Sequence, residues 1–128
     1  FGHIYSFELN EDWAARAHNF VEQEGLTSWV TIIRGDSKSA PWPEQPVDFM
    51  FCDGSDERVD EVKRFMPHLS ARSLVVAHDG IGGYQYNPQF QWHRLDEHFV
   101  RILLPTPRGI WIMQKRGIPE IEAARREV

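Results

Sequence analysis

The segment VDFMFCD (residues 47–53) constrains the fold of this chain more than any other stretch. It is an almost unbroken run of apolar residues that ends on an acid, Asp53. A run without strict polar–apolar alternation is typical of a strand covered on both faces, as in a parallel sheet. Since ligands bind beyond the carboxyl ends of such strands, the segment predicts a central strand with a functional carboxylate at its end.

Strands and helices follow one another around this central strand. The predicted strands are residues 3–9, 29–35, 47–53, 73–79, 98–105 and 109–116, and the predicted helices are about 11–24 and 56–69. Asn10 and Gly25 are suited to cap the first helix. The last two strands are close enough to form a hairpin. The order predicts an open α/β sheet, mostly parallel with a C-terminal antiparallel hairpin, in one domain (1–117) followed by a tail (118–128).

The apolar residues of each predicted helix recur at intervals of three and four. The predicted buried stripe of the first helix is Trp13, Ala17, Phe20 and Val21, and that of the second is Val59, Val62, Phe65, Met66 and Leu69. Each stripe indicates one helix face that packs on the sheet.

Charge and cysteine content restrict the partners and the compartment. The net charge of -5 disfavours nucleic acid and anionic membrane surfaces as partners. The single cysteine, Cys52, excludes an internal disulfide and is expected to be a buried small hydrophobe. No apolar run approaches the roughly 20 residues of a membrane span. The expected location is therefore the reducing cytoplasm.

Acidic residues end four of the predicted strands: Glu8, Asp36, Asp53 and Asp79. This series, with the sequences FMFCDGSD and VVAHDG, resembles the class I S-adenosylmethionine-dependent methyltransferases, especially their small-molecule O-methyltransferase-like branch. The resemblance covers the chain from the second to the seventh strand of the family's Rossmann-like sheet. It includes RGIWIMQKR, which is similar to the family's closing strand.

The resemblance implies a set of site residues. Glu8 would bind the ribose hydroxyls of S-adenosylmethionine, Asp36 with its neighbour Ser37 would lie beside the adenine, and Asp53 would lie near the methionine end. His78 and Asp79 would be catalytic, with His78 accepting the proton of a substrate hydroxyl. The remaining implied roles are an optional Mg²⁺ site of Asp53, Asp56 and Asp79, and a floor of the acceptor pocket formed by Tyr84, Tyr86 and Trp92.

Each role has a structural alternative that the residues leave open. Glu8 can be a solvated carboxylate at a strand end, and Asp36 can cap a turn. Asp53 and Asp56 can cap the following helix, and His78 can be a hydrogen-bonded polar residue. The three aromatic residues can simply pack a loop.

The family's first strand and its glycine-rich turn would precede Phe1, so the predicted sheet is N-terminally truncated. That strand would lie in the middle of the sheet, so the strands at 3–9 and 47–53 either pair directly or leave open edges. Three explanations follow. The sequence is a fragment of a longer enzyme, it is completed by a partner chain or a second copy, or it is a shortened relative.

Two functions from different classes follow from these observations. The first is methyl transfer from S-adenosylmethionine to a hydroxyl of a small molecule. The alternative is a non-catalytic module that binds adenosine-containing ligands or assembles through exposed strand edges. A third, a receiver-type phosphoacceptor domain, is disfavoured because the terminal hairpin has no place in that fold.

Overall fold

The structure, a computed structural model, describes residues 2–53, 58–78 and 91–117. The chain divides into two compact units, residues 1–43 and 44–128. The division falls in the loop between the second and third strands, where three prolines exclude regular structure.

The first unit is a parallel β–α–β motif. Strand β1 (Ile4–Glu8) is followed by helix α1 (Glu11–Gln23) and strand β2 (Val30–Arg34), and the two strands pair in parallel. Asn10 caps the helix as predicted, because its side-chain oxygen accepts a hydrogen bond from the Trp13 N–H at 3.0 Å. Gly25 follows the helix at φ 69°, the left-handed conformation expected of a residue that terminates a helix.

Helix α1 packs through only part of the predicted stripe. Ala14 and Val21 are buried and Ala17 is half-buried, whereas Trp13 and Phe20 are 65% and 58% exposed. The prediction for the two aromatic residues was therefore wrong. The buried positions recur at intervals of three and four, as do the predicted ones, so the period alone does not decide which of two adjacent stripes faces the sheet.

The second unit is a four-stranded sheet in the order β3-β4-β6-β5. Its strands are β3 (Val47–Cys52), β4 (Leu69–His78), β5 (Phe99–Leu104) and β6 (Ile110–Lys115). Strands β3 and β4 are parallel, and β6 is antiparallel to both β4 and β5. The predicted hairpin is confirmed, and β6 is the antiparallel member of the sheet.

The region between β3 and β4 differs from its prediction. Helix α2 spans Arg58–Phe65, a 3-10 turn follows at Met66–His68, and β4 begins at Leu69. The predicted helix therefore extended too far, and its last stripe residue is the first residue of a strand. Pro67 explains the boundary, because proline has no N–H for a helical hydrogen bond and disfavours a helical residue before it.

The two faces of the four-stranded sheet are buried unequally. Strand residues Met50, Cys52, Val75, Ala77 and Met113 share one face and are buried together with Val59, Val62 and Phe65 of α2. Phe49, Phe51, Leu74, Ile102 and Leu104 share the other face and are exposed. The packed core of this unit thus lies on the α2 side of the sheet.

Strands β1 and β3 both keep an open edge. In the part of the chain that the structure describes, β1 pairs with β2 and β3 pairs with β4, with no further neighbour for either. Among the described residues, none of the helices is long and apolar enough to cross a membrane.

Candidate functional site

Glu8 ends β1 and is half-buried. One carboxylate oxygen accepts a hydrogen bond from the Asn10 N–H at 2.8 Å, which fixes the side chain against the start of α1. Arg34 lies opposite Glu8 in the strand register, but its guanidinium pairs with Glu11. Because a carboxylate has about four acceptor positions, Glu8 retains the capacity to bind a pair of hydroxyl groups.

Asp36 organises the turn that follows β2. Its Oδ1 accepts a hydrogen bond from the Lys38 N–H at 2.8 Å, and its Oδ2 lies 3.7 Å from Lys38 Nζ. Its carbonyl oxygen accepts hydrogen bonds from the N–H groups of Ser39 and Ala40. The capping alternative therefore describes the Asp36 side chain in this structure, and Ser37 is half-buried in the same turn.

The same turn requires glycine at position 35. Gly35 has φ 138°, and a Cβ placed there would lie 3.0 Å from the Ala40 Cβ. A side chain at this position would both strain the backbone and press on the turn. The path of the chain after β2 thus depends on Gly35.

Asp53 and His78 are hydrogen-bonded at the carboxyl ends of β3 and β4. His78 Nδ1 lies 3.0 Å from Asp53 Oδ1, although the two residues are 25 positions apart in the sequence. The pairing follows from the parallel register, in which Cys52 lies opposite Ala77, so the next residue of each strand reaches the same edge of the sheet. An ionised carboxylate only accepts hydrogen bonds, so His78 Nδ1 is the donor in this pair.

Two charged residues of this region were missed from the sequence: Arg58 and Glu61. They are 6% and 7% exposed, on the buried side of α2. Burial and the neighbouring Glu61 raise the pKa of the Cys52 thiol, while the charge of Arg58 acts in the opposite direction. The thiol therefore stays neutral, which agrees with the prediction of a buried small hydrophobe. The sequence did contain a signal for the burial of Arg58, because this residue precedes the apolar Val62 and Phe65 at helical spacing and so shares their helix face.

The aromatic residues predicted to floor an acceptor pocket have different outcomes. Trp92 lies in the 3-10 turn Trp92–Leu95 and is 4% exposed, so its ring belongs to the interior of the second unit. Tyr84 and Tyr86 lie outside the described residues.

The metal prediction rests on Asp53, Asp56 and Asp79. The last two lie outside the described residues, and so does the catalytic role given to Asp79. Within residues 2–53, 58–78 and 91–117, no three histidine, cysteine or acidic side chains are grouped closely enough to hold a metal ion. The described residues thus give no support to Mg²⁺, and the metal set stays a prediction.

Comparisons with known proteins agree on the fold. No curated protein sequence is significantly similar to the chain. A Staphylococcus aureus structure described as a caffeoyl-CoA O-methyltransferase matches with a TM-score of 0.71 at 17% identity, covering 88% of this chain and 64% of that one. An O-methyltransferase from Bacillus cereus in complex with SAH matches with a TM-score of 0.69 at 16% identity, covering 90% and 63%.

A third structure, the SAH-bound methyltransferase PaMTH1 of Podospora anserina, matches with a TM-score of 0.67 at 15% identity. The match covers 90% of this chain and 61% of that one. The chain thus spans less than two thirds of each of these proteins. The likeness confirms the Rossmann-like methyltransferase fold predicted from the sequence.

The family is shown by a sequence model for a methyltransferase domain, which matches residues 2–80. The match covers both strands of the first unit and continues through β3 and β4 to the end of the latter, including Glu8, Asp36, Asp53 and His78. The chain belongs to the methyltransferase-domain family.

Proposed function

We propose that this chain is the part of an S-adenosylmethionine-dependent methyltransferase that binds the ribose of the cofactor and deprotonates a hydroxyl of a small-molecule acceptor. The observation that carries the proposal is the hydrogen bond between Asp53 and His78 at the carboxyl ends of parallel strands. SAH-bound structures among those of the same fold support the choice of cofactor.

The cofactor supplies an electrophilic methyl group. Glu8 binds the two ribose hydroxyls, because its carboxylate is held by the Asn10 N–H and still has acceptor capacity. Asp36 and Ser37 lie in the turn after the neighbouring strand. From there they would contact the adenine through side-chain or backbone groups. These contacts orient the cofactor and account for binding rather than for the chemical step.

His78 acts on the acceptor. Its Nε2 would take the proton of the acceptor hydroxyl as the oxygen–methyl bond forms and the sulfur–methyl bond breaks, with the bonding pair returning to the sulfur of the departing S-adenosylhomocysteine. Asp53 would stabilise the resulting imidazolium through Nδ1. Asp53 therefore serves to orient and support the base.

The first test is a calorimetric titration of the purified chain with S-adenosylhomocysteine. One site per chain with micromolar affinity, lost in Glu8→Ala, is expected. Asp12→Ala removes an equally charged side chain from the exposed surface of α1 and is the matched control. A folded chain that does not bind, or an affinity lowered equally by both substitutions, would contradict the ribose role of Glu8.

The second test measures formation of S-adenosylhomocysteine with catechol as a probe acceptor. His78→Ala is expected to lower the rate by roughly 10²–10⁴-fold, the usual contribution of a positioned base. Titration of this variant with S-adenosylhomocysteine should give the affinity of the unsubstituted chain. A His78→Ala variant with full activity would contradict the role of His78 as base.

A non-catalytic assembly module is the second candidate. Its support is β3, which has an open edge in the described sheet and carries Phe49 and Phe51 at 59% and 57% exposure. A second copy of the chain is the partner tested. Sedimentation at increasing concentration should then show a dimer that Phe51→Lys dissociates, together with no turnover.

A further inference from the structure

Arg58 is a buried cation at the start of α2. Its side chain is 7% exposed, whereas the carboxylate beside it, Asp53, is 49% exposed. A buried charge is costly unless polar groups compensate it, so the contacts of this guanidinium indicate what it stabilises.

The guanidinium holds Asp53 at two points. Arg58 Nη2 donates a hydrogen bond to the Asp53 carbonyl oxygen at 2.8 Å, and it lies 3.7 Å from Asp53 Oδ1. The first contact fixes the backbone directly after β3, and the second attracts the carboxylate. Asp53 Oδ1 is also the atom that meets His78 Nδ1. The Arg58 guanidinium therefore contacts Asp53, and the Asp53 carboxylate in turn contacts the His78 imidazole.

We propose that Arg58 is a positioning residue that fixes the Asp53 carboxylate and, through it, the tautomer of His78. The inference rests on the proposed function, in which Nδ1 of His78 carries its proton toward Asp53. A guanidinium suits this task, because its rigid plane holds one nitrogen, Nη2, near both the carbonyl oxygen and the carboxylate of Asp53.

The neighbours of Arg58 explain how it can stay in place. Glu61, one helical turn further on, is also buried, and both charges act on the Cys52 thiol beside them. A buried cation and a buried anion on the same helix lower the net charge of this part of the interior. Glu61 thus offsets part of the electrostatic cost of burying Arg58.

The experiment is a nitrogen NMR measurement of the His78 tautomer in mildly alkaline buffer, with the chain labelled at histidine nitrogens. The unsubstituted chain should show the proton on Nδ1. Arg58→Met is expected to lose most of this signal to the Nε2–H tautomer, because the freed carboxylate no longer holds Nδ1–H. Arg64→Met is the matched control, since that guanidinium lies on the same helix, over the Phe65 ring at 5.1 Å, and should leave the tautomer unchanged.

The outcomes separate this inference from the proposed function. A folded Arg58→Met chain that keeps Nδ1–H overturns the positioning role and leaves the Asp53–His78 pair intact. An unsubstituted chain without Nδ1–H overturns the pair itself, and with it the proposed base.

If circular dichroism shows that Arg58→Met does not fold, the same NMR measurement on Arg58→Lys tests the positioning role. A single ammonium group cannot reproduce the planar fork of guanidinium donors, so the fraction of Nδ1–H should fall below that of the unsubstituted chain. An unchanged fraction overturns the inference.

Discussion

Residues with proposed roles lie in both units, and the two units are packed differently. In residues 2–43 the buried apolar residues are small or medium in size: Ala14, Val21 and Ala40. In the second unit, Phe99, Leu95 and Met113 are at most 1% exposed. Glu8 and Asp36 thus lie at the ends of strands in a thinly packed unit, whereas Asp53 and His78 lie at the ends of strands that pack on a larger core and are themselves partly exposed.

The difference follows from sheet size. A two-stranded sheet is marginal by itself, whereas three or more strands with a covered face can be stable. Among residues 2–43, six large apolar residues are exposed: Ile4, Leu9, Trp13, Phe20, Leu26 and Trp29. We expect opening of β1, α1 and β2 to require less free energy than opening of the second unit.

The largest effect on the free energy of unfolding is expected for a phenylalanine-to-alanine substitution in the second unit, compared with the same substitution in the first. Phe99→Ala should lower the free energy of unfolding by about 3–5 kcal/mol, because it leaves a cavity in a core. Phe20→Ala, at 58% exposure, should change it by less than about 0.5 kcal/mol. Urea unfolding followed by circular dichroism measures both. Similar losses for the two variants would break the comparison.

An intermediate effect concerns the polar anchors. Ser73, 2% exposed, donates to the Val47 carbonyl at 2.5 Å and accepts from the Ser70 N–H at 2.7 Å. Ser73→Ala should cost about 1–3 kcal/mol, because it removes two part-buried hydrogen bonds made by a buried side chain. Asn10→Ala removes the cap of α1 and should cost about 1 kcal/mol. If Ser73→Ala and Asn10→Ala shift the midpoint of urea unfolding equally, the greater burial of Ser73 does not make its hydrogen bonds more important for stability.

The smallest effect concerns the surface of the second unit. The hydrogen bond from Arg101 lowers the pKa of Asp96, with Arg101 Nε 2.6 Å from Asp96 Oδ1. A carboxyl whose pKa is lowered in the folded chain contributes stability above its unfolded pKa, and loses it as the pH falls through the folded value. Half of Asp96 is exposed, so Asp96→Asn should cost about 0.2–1 kcal/mol at neutral pH.

The check on Asp96 is a series of urea titrations from neutral pH into acid. The difference between Asp96→Asn and the unsubstituted chain should shrink as the pH falls below the ordinary aspartate value of about 3.9. A difference that stays constant with pH would mean that the substitution acts through packing rather than through charge.

Much of the fold could be predicted because it is encoded locally. Asn10 and Gly25 bound α1 as expected, and the hairpin of β5 and β6 follows from a short turn. The end of α2 was misplaced because the apolar period continues past Pro67 into a strand. The choice between two stripes of α1 was also missed, since both have helical spacing.

The site was predicted less completely, for a related reason. Sequence analysis named the acids at strand ends, but Asp53 and His78 meet only because β3 and β4 are parallel and in register. The burial of Arg58 and Glu61 was missed, because charged residues on a helix are usually solvated. The one-domain boundary, the roles of the site residues and the metal stay predictions.

The sequence by itself determined the order of strands and helices and the methyltransferase family, because hydrophobic period, caps and strand-end acids are properties of neighbouring residues. Only the tertiary structure decided that Arg58 is buried against Asp53 and that Asp53 binds His78. The physical reason is that burial and hydrogen-bond partners depend on which distant segments pack together, and a local pattern does not contain that information.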